Sequence, residues 1–596
     1  MNPTLKTVTF TAFETHWVFD ENNKSCQRLD AIPEGYVVSP NGKQAAFVRD
    51  YNLWVRDLTT GKEHALTQDG EEFYRYASVP TLGKGLPAIT DFLWSPDSSR
   101  ILTQVTDTRD VRIGMPLMQY VMPDGQGASI LKAERRLSAC GDEQVEAWQF
   151  LSLEVQSAKV QMFDCIPCPV RYPHYLGCFS AGRGWWDADS RHAYCIHQNV
   201  DETGTQVLKC DTHTGEVQVL FREMPETHAT IVSAVHISIM AMPLPERDEL
   251  IWYSERSGWP HLYLIDLKSG QLKRALTQGD WVVRKILFYD APRQQLVIQT
   301  AGRHPGRNPY YQDICRIDLA SGELTPLLAS DHEYTVYDRC GLMDLTVVKS
   351  GSASKGASPT GNYLVATRSR VDEPPVSLLL DRDGKELMVV ETADLSALPD
   401  NWQWPEPVMV KGADDSTDIY GVVFRPSGFS PDKNYPVLDL SFTYSEPVGA
   451  FSNNVQSNYH YLASVAYAEL GFIVVRFNNR GDGLRGSAGL RDRAFNAYRD
   501  TRLPFHNKAD CVAGIRQLVQ RFPYMDEQRV GVADFITVPA AISGLFAHPD
   551  CYSVGVSFNA MVGDGRFWSR AIYKDEGFPS FADLAHQLKG KFLMIH

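Results

Sequence analysis

A strand–turn–strand pattern recurs through the first two thirds of the chain and constrains the fold more than any other feature. In the first phrase, typified by "SPNGKQAAFVRD", a polar turn precedes an alternating apolar strand; it occurs at 39–50, 95–105, 187–197, 245–255 and 358–368. In the second, a strand ends in Asp-Leu before a turn containing Gly; it occurs at 52–67, 261–277 and 313–328. Such turns suit hairpins because Gly and Asn adopt positive φ at little cost. The repetition predicts a β-propeller over residues 35–397, after an N-terminal segment 1–34, rather than an array of β-sandwiches.

The pattern changes near residue 400. "LPDNWQWPEP" (398–407) is rich in Pro and Trp and is typical of a domain junction. Beyond it, apolar strands alternate with helical segments, and one predicted helix carries an apolar face made of Val512, Ile515, Leu518 and Val519. Alternating strands and helices predict a parallel sheet covered on both faces, which makes residues 398–596 an α/β domain.

Length and charge exclude several classes of protein. A chain of 596 residues exceeds a single core. The formal net charge of −14 disfavours a nucleic-acid partner, which requires a basic face. The N-terminus has no signal-peptide pattern and no stretch reaches the ~20 apolar residues of a membrane span, so we expect a cytoplasmic protein with no membrane partner. A periplasmic or secreted location is expected only if an upstream segment is missing from the sequence.

The 11 cysteines are scattered and do not indicate a disulfide framework. "CIPC" (165–168) has the spacing of a metal or redox pair, but no second CxxC completes a zinc site. We interpret the two residues as ordinary thiols and expect no metal and no organic cofactor.

Several stretches together resemble the prolyl oligopeptidase superfamily, and most of all its dipeptidyl peptidase IV branch. They are "SERSGWPHLYLIDLKSG", "LTQGDWVV", "GVVFRPSGFSPDKNYPVLD", "ELGFIVVRFNNRGDGLRG" and "RVGVADF...HPDCYSVGVSFNA". The resemblance covers nearly the whole chain. It implies a β-propeller followed by an α/β-hydrolase domain, and a Ser–Asp–His peptidase that removes N-terminal dipeptides.

The nucleophile position of this family is altered. Its elbow, G-x-S-x-G, is a tight strand-to-helix turn. The matching residues here are Asp534, Phe535, Ile536, Thr537 and Val538, so the serine position holds Ile536 and neither flanking glycine is present. Isoleucine cannot attack a carbonyl, and a β-branched side chain disfavours positive φ.

The remaining catalytic parts also depart from the family pattern. The tyrosine that supplies an oxyanion donor corresponds to Phe442, or to Tyr444 after a two-residue slip. The strand "KFLMIH" matches the one that precedes the catalytic acid, and the sequence ends at His596. We therefore expect a hydrolase domain that is incomplete before its last strand and lacks both the acid and the base.

Two further sites follow from the sequence as expectations. The family binds the substrate amine with a pair of glutamates, for which Glu71 and Glu72 are candidates, although two solvated loop acids are the alternative. If no strand follows, 591–596 forms an exposed sheet edge, where a partner chain or aggregation is expected.

Three functions remain open from the sequence. The first is a catalytically inactive homologue that binds a peptide or protein ligand between propeller and hydrolase domain. The second is an active dipeptidyl or oligopeptidase whose recorded sequence is incomplete. The third is a propeller that serves alone as an interaction module.

Overall fold

The computed structural model describes most of the chain. The described residues are 7–12, 15–20, 24–28, 35–79, 89–113, 117–121, 129–133, 136, 138, 142–170, 178–179, 182–199, 204–224, 241–336, 356–358, 360–441, 455–478, 508–535, 540–558 and 581–595.

The first part of the chain forms separate antiparallel sheets that follow one another in sequence. A three-stranded and a four-stranded sheet come first. Their strands are β1 (Thr7–Ala12), β2 (Thr15–Asp20), β3 (Ser25–Arg28), β4 (Val37–Val38), β5 (Gln44–Arg49), β6 (Asn52–Asp57) and β7 (Glu63–Ala65).

The next sheet has six strands, and two short hairpins belong to the same stretch of chain. The strands are β8 (Tyr74–Tyr76), β9 (Ser78–Val79), β10 (Ile89–Thr90), β11 (Phe92–Trp94), β12 (Arg100–Asp107), β13 (Leu117–Val121), β14 (Ser129–Ala133), β15 (Ala147–Glu154), β16 (Val160–Met162) and β17 (Cys168–Pro169). Strands β9 and β10 form one hairpin and β13 and β14 the other, whereas the remaining six make the sheet.

Four regular four-stranded meanders follow, each with its strands in sequence order. The first two consist of β18 (Gly184–Trp186), β19 (His192–Gln198), β20 (Thr205–Asp211), β21 (Val217–Glu223), β22 (Ala241–Leu244), β23 (Glu249–Ser254), β24 (His261–Asp266) and β25 (Leu272–Ala275). The last two consist of β26 (Val282–Asp290), β27 (Gln295–Ala301), β28 (Gln312–Asp318), β29 (Leu324–Leu328), β30 (Glu333–Val336), β31 (Tyr363–Arg370), β32 (Glu373–Asp381) and β33 (Glu386–Thr392). Repeated four-stranded antiparallel sheets are the blades of a β-propeller, as the sequence predicts.

The Asp-Leu phrase forms the turn between the third and fourth strands of a blade. The carboxylate of Asp266 accepts hydrogen bonds from the backbone N–H groups of Lys268 and Ser269, and Gly270 adopts φ 71°. Asp57 and Asp318 make the same pair of bonds in their own turns. The repeated phrase therefore encodes one local structure, in which Asp caps the turn and Gly closes it.

The last part of the chain forms one seven-stranded sheet with helices. Its elements are β34 (Glu406–Lys411), β35 (Asp418–Phe424), β36 (Tyr435–Asp439), α1 (Val455–Glu469), β37 (Ile473–Phe477), α2 (Ala509–Arg521), β38 (Met525–Phe535), α3 (Ala540–Ala547), β39 (Val554–Phe558), α4 (Phe581–Leu584) and β40 (Lys591–Ile595). The strand order is β34-β35-β37-β36-β38-β39-β40. Strands β36 to β40 pair in parallel, whereas β34 and β35 run antiparallel at one edge.

Helices cover both faces of this sheet, as predicted. Helix α2 buries Val512, Ile515 and Leu518 in a core with the strands on one face, and Val519 packs against that core. Helix α1 contributes Tyr461 to a second core on the other face. The described part of the chain is thus a propeller followed by an α/β-hydrolase sheet.

Loops of the last two blades contact the hydrolase sheet. Val371, in the β31–β32 connection, lies in the same core as α1, and its carbonyl accepts a 3.4 Å hydrogen bond from Tyr461. Tyr310, in the β27–β28 connection, packs edge-on against Tyr420 with ring centroids 6.0 Å apart. Connections between second and third blade strands therefore face the hydrolase sheet.

Within the described residues, no helix combines the length and the apolar character needed to cross a membrane.

Candidate functional site

The carboxyl ends of the parallel strands bring several polar side chains together. In open α/β sheets this edge is where ligands bind. Strands β36, β38 and β39 end at or beside Asp439, Asp534 and Ser557, and all three residues are buried. Sequence reasoning selected only Asp534 of these, because the other two carry no motif of their own.

Asp534, which the sequence predicts at the first position of an altered elbow, accepts hydrogen bonds at both carboxylate oxygens. Its Oδ1 accepts a 2.6 Å bond from Ser557 Oγ, and its Oδ2 accepts a 2.7 Å bond from the N–H of Ala541 in the first turn of α3. Burial raises the pKa of Asp534, although these bonds and the charge of Lys508 favour the carboxylate. A glycine at this position would supply none of these contacts, so Asp534 fastens β38 to β39 and to α3.

A second buried network lies beside it. The phenol of Tyr552 donates a 2.6 Å hydrogen bond to Asp439 Oδ2, and Lys508 Nζ lies 3.1 Å from the same oxygen. Burial by itself lowers the pKa of Lys508, but the charge and hydrogen bond of Asp439, together with the influence of Cys511 and Asp534, raise the pKa above its ordinary value. Lys508 also donates to the carbonyl of Ser441, whose hydroxyl accepts from Phe477 N–H at 2.7 Å. These partners hold the strand ends together and leave the lysine charged.

Apart from Phe535, the other residues of the predicted elbow and oxyanion site lie outside the described part of the chain. Ile536, Thr537 and Val538 follow β38 directly, and Phe442 and Tyr444 follow β36. Phe535 is the last residue of β38. The predicted loss of the nucleophile at Ile536 and of the oxyanion donor at Phe442, or its replacement by Tyr444, therefore stays a prediction.

Glu71 and Glu72 lie in a turn before β8. Glu71 pairs with Tyr74 through two backbone hydrogen bonds, and its carboxylate lies 3.6 Å from Arg109 Nη1. The backbone carbonyl of Glu72 accepts a hydrogen bond from Arg75. Arg109 already provides a cation for Glu71, and the binding of a substrate amine by this pair stays a prediction.

Two sets of side chains are candidates for metal binding or redox chemistry, namely an Asp–Asp–His cluster and the two "CIPC" thiols. Asp187, Asp189 and His192 are the one set of potential ligands that the described residues bring within 4.8 Å of one another. His192 Nδ1 already lies 2.5 Å from Asp189 Oδ2. In the "CIPC" segment, burial raises the pKa of Cys165 to about 12 and raises that of Cys168 as well, which keeps both thiols protonated and unreactive.

Strand β40 has β39 as its partner in the described sheet. Leu593, Met594 and Ile595 on it are exposed. A partner chain at 591–596 stays a prediction.

Comparison with known proteins identifies related sequences along most of the chain. The family model "Dipeptidyl peptidase IV (DPP IV) N-terminal region" matches residues 4–375. The probable dipeptidyl peptidase 4 of Aspergillus flavus is 24% identical over 526 residues, which cover 83% of this chain and 60% of that protein. Human dipeptidyl peptidase 8 is 22% identical over 584 residues, which cover 85% of this chain and 60% of that protein. The probable dipeptidyl peptidase 4 of Aspergillus fumigatus is 29% identical over 324 residues, 53% of this chain and 38% of the relative. The chain thus spans about two fifths to three fifths of the length of these relatives.

Solved structures show the same fold. A putative dipeptidyl aminopeptidase IV from Bacteroides ovatus superposes with a TM-score of 0.74 at 20% identity, covering 99% of this chain and 80% of that one. Dipeptidyl peptidase 4 from Porphyromonas gingivalis superposes with a TM-score of 0.72 at 18% identity, covering 99% of this chain and 79% of that one.

Proposed function

The chain belongs to the dipeptidyl peptidase IV family, and from this premise we propose that it is a family member without serine-peptidase activity that binds a peptide or protein ligand. The ligand would lie between the propeller and the hydrolase sheet. This proposal concerns the chain as printed, from Met1 to His596.

The observation that carries the proposal is the pair of hydrogen bonds that Asp534 accepts at the first elbow position. Asp534 ties β38 to Ser557 and to the N–H of Ala541. Two residues later, Ile536 stands where the family has its nucleophile. Because a nucleophile is indispensable to a Ser–His–Asp mechanism, an isoleucine there removes the covalent step. The Asp534 contacts favour an elbow that serves packing.

The peptide class of ligand rests on the relatives and on the domain arrangement. The relatives are named as dipeptidyl peptidases, which act on peptides. In this chain, blade connections that carry Tyr310 and Val371 contact the hydrolase sheet. A ligand held between the two parts could use both surfaces without being cleaved.

The first test is hydrolysis of chromogenic Xaa-Pro dipeptide substrates by the purified full chain, with a fluorophosphonate probe for reactive serines. The Porphyromonas gingivalis enzyme serves as the active control. We expect neither turnover nor labelling from this chain, and unchanged behaviour for Ile536→Ala. Turnover together with labelling of another residue would overturn the proposal and support an active peptidase.

Ligand binding is measured separately, with fluorescently labelled Xaa-Pro peptides and fluorescence anisotropy. We expect saturable binding by the full chain that an unlabelled peptide displaces. If residues 400–596 can be deleted without loss of binding, the propeller alone is the binding module, and the joint site proposed here is wrong.

A further inference from the structure

Arg183 is a buried arginine at a junction between two blades. It directly precedes β18, where its carbonyl accepts a 2.7 Å hydrogen bond from the N–H of Ile196. The residue is only 3% exposed. Its guanidinium lies 5.9 Å from the ring centroid of Trp148 on β15. The side chain therefore extends from its own blade to the preceding one.

The guanidinium has no carboxylate partner among the described residues. Its Nη1 is buried and has no hydrogen-bond acceptor in that part of the chain. Arginine stays protonated in proteins, so the cost of burial cannot be relieved by loss of the proton. A buried charge of this kind is normally paired or bound to a ligand.

His197 supplies a second donor at the same junction. It is 6% exposed, and its Nδ1 lies 3.3 Å from Gln206 Nε2. The amide nitrogen can only donate, so Nδ1 accepts and Nε2 carries the proton. Within the described residues, Nε2 has no acceptor at full hydrogen-bond geometry, and the backbone carbonyls of Pro167 and Ile166 lie beside the ring as weak acceptors.

The charge state of His197 follows from its surroundings. Burial lowers its pKa, and the charge of Arg183 lowers it further, against the carbonyl groups of Pro167 and Ile166, which raise it. The ring is therefore neutral at neutral pH. Arg183 therefore supplies the one positive charge and the unpartnered donor of this junction, and His197 supplies a neutral N–H that it shares with these two carbonyl groups.

The neighbouring groups limit the charge that the site accepts. Asp91 is fully buried, and its carboxylate accepts hydrogen bonds from the N–H groups of Cys178 and Phe179. Burial raises the pKa of the Cys178 thiol well above its ordinary value. Asp91 raises this pKa further and Arg183 lowers it, so both charges act on the same thiol. With one cation and an anion already close by, a dianion such as phosphate is disfavoured.

We propose that Arg183 and His197 bind a small monocarboxylate at the junction of these two blades. A planar carboxylate matches the forked guanidinium, and the burial of both residues favours a small acid such as formate or acetate over a bulky one. The carboxylate would belong either to a free small acid or to the terminus of a peptide. The inference does not depend on whether the hydrolase domain is active.

The position of the site suits either source. Arg183 begins the first strand of its blade, and His197 lies near the end of the second strand. Both therefore lie on the same side of the propeller as the β27–β28 and β31–β32 connections, which contact the hydrolase sheet. A ligand between the two parts could reach this junction with a carboxylate.

The test is the melting temperature of the full chain in sodium formate or acetate, against sodium chloride at equal ionic strength. We expect a saturable rise of about 2 °C in the carboxylate salts. Arg183→Met should abolish the rise and Arg183→Lys should weaken it. Arg191→Met is the matched control, because Arg191 lies exposed in the same blade and is paired with Asp211. An equal rise in chloride, or in Arg183→Met, overturns the proposal.

A second measurement needs no variant that alters the site, should Arg183→Met fail to fold. The NMR line of ¹³C-formate should broaden with the wild type and with Arg191→Met, and excess acetate but not chloride should sharpen it. Absence of broadening would contradict the proposal. Displacement by an Xaa-Pro peptide with a free carboxylate, but not by its amide, identifies a peptide terminus as the source, whereas no displacement by either identifies a free small acid.

Discussion

Asp534 Oδ1 accepts a 2.6 Å hydrogen bond from Ser557 Oγ, which links the ends of two neighbouring parallel strands, β38 and β39. The bond lies at the edge of the sheet that the carboxyl ends of the parallel strands form. Asp534, where the family motif has a glycine, thus forms a hydrogen bond that joins two strands of the sheet.

Replacing Asp534 by Asn should change the pH dependence of stability. Burial raises the pKa of Asp534 above the ordinary value of 3.8, so the folded state binds more protons than the unfolded state between these two pKa values. Stability contributed by this group therefore falls as pH rises from 3.8 through the folded pKa. Asp534→Asn should flatten this decline in urea unfolding measured from pH 4 to 8.

Asp526→Asn is the control with the opposite sign. A hydrogen bond from Arg529 lowers the pKa of Asp526, so that group contributes stability above its unfolded pKa and loses it as pH falls through the folded pKa. The control variant should therefore lose stability at neutral pH. If both variants give the same pH profile, the assignment of Asp534 is wrong.

Removing the charge of Lys508 should strongly destabilise the hydrolase domain. Lys508→Met leaves the buried carboxylate of Asp439 without this ion pair, with the Tyr552 phenol and the N–H of Ser441 as its hydrogen-bond donors, which we expect to cost about 3–5 kcal/mol in the free energy of unfolding. Lys411→Met breaks the exposed pair with Asp418 and should cost about 1 kcal/mol or less. Chemical denaturation of the full chain, followed by circular dichroism, measures both. A small loss in Lys508→Met would show that the buried pair is not required.

Substitution of two glycines with positive φ, Gly258 and Gly270, distinguishes the stability cost of backbone strain from the cost of steric overlap. A Cβ at Gly270 would lie 1.7 Å from the carbonyl oxygen of Leu220, whereas a Cβ at Gly258 would meet nothing within 4 Å. Gly258→Ala should cost about 1–2 kcal/mol from its left-handed conformation alone. Gly270→Ala should cost about 3 kcal/mol or more, because the neighbouring blade must shift. Equal losses in thermal unfolding would contradict the packing of Gly270.

Glu223 should contribute strongly to the free energy of unfolding, although it lies at the end of strand β21. Its carboxylate accepts hydrogen bonds from Trp252 Nε1 at 2.8 Å, Ser254 Oγ at 2.5 Å and Arg256 Nη2 at 2.7 Å. Glu223→Gln removes the charge and turns one acceptor into a donor, for which we expect a loss of about 1.5–3 kcal/mol. Glu216→Gln, on the exposed turn before β21, should be neutral. Comparable unfolding midpoints for the two variants would rule out this role.

Much of the fold follows from local sequence. The Asp-Leu-Gly phrase predicts the turns of the blades because Asp caps nearby N–H groups and Gly allows φ 71° at position 270. The spacing of Val512, Ile515 and Leu518 predicts the buried face of α2, because helical periodicity, like a turn, is a property of the local sequence. Neither inference needs to know which elements become neighbours.

The candidate site shows the limit of that reasoning. The sequence predicts an altered elbow at Asp534 and Ile536, because the family resemblance places an isoleucine at the serine position, and this stays a prediction. It also suggests Glu71 as part of an amine site, but only the structure shows the cation at Arg109. No motif indicates Arg183 or His197, since neither residue has a recognisable spacing to the other.

The sequence by itself determines the strand–turn repeats and the change to alternating strands and helices, and it predicts an elbow without a serine. Tertiary structure alone decides which charged groups meet. Asp439 and Tyr552 are 113 residues apart and become partners only through the parallel strand order of the sheet. Arg183 reaches Trp148 only because successive blades pack side by side. The physical reason is that turns and helices depend on neighbours in sequence, whereas buried charges depend on neighbours in space.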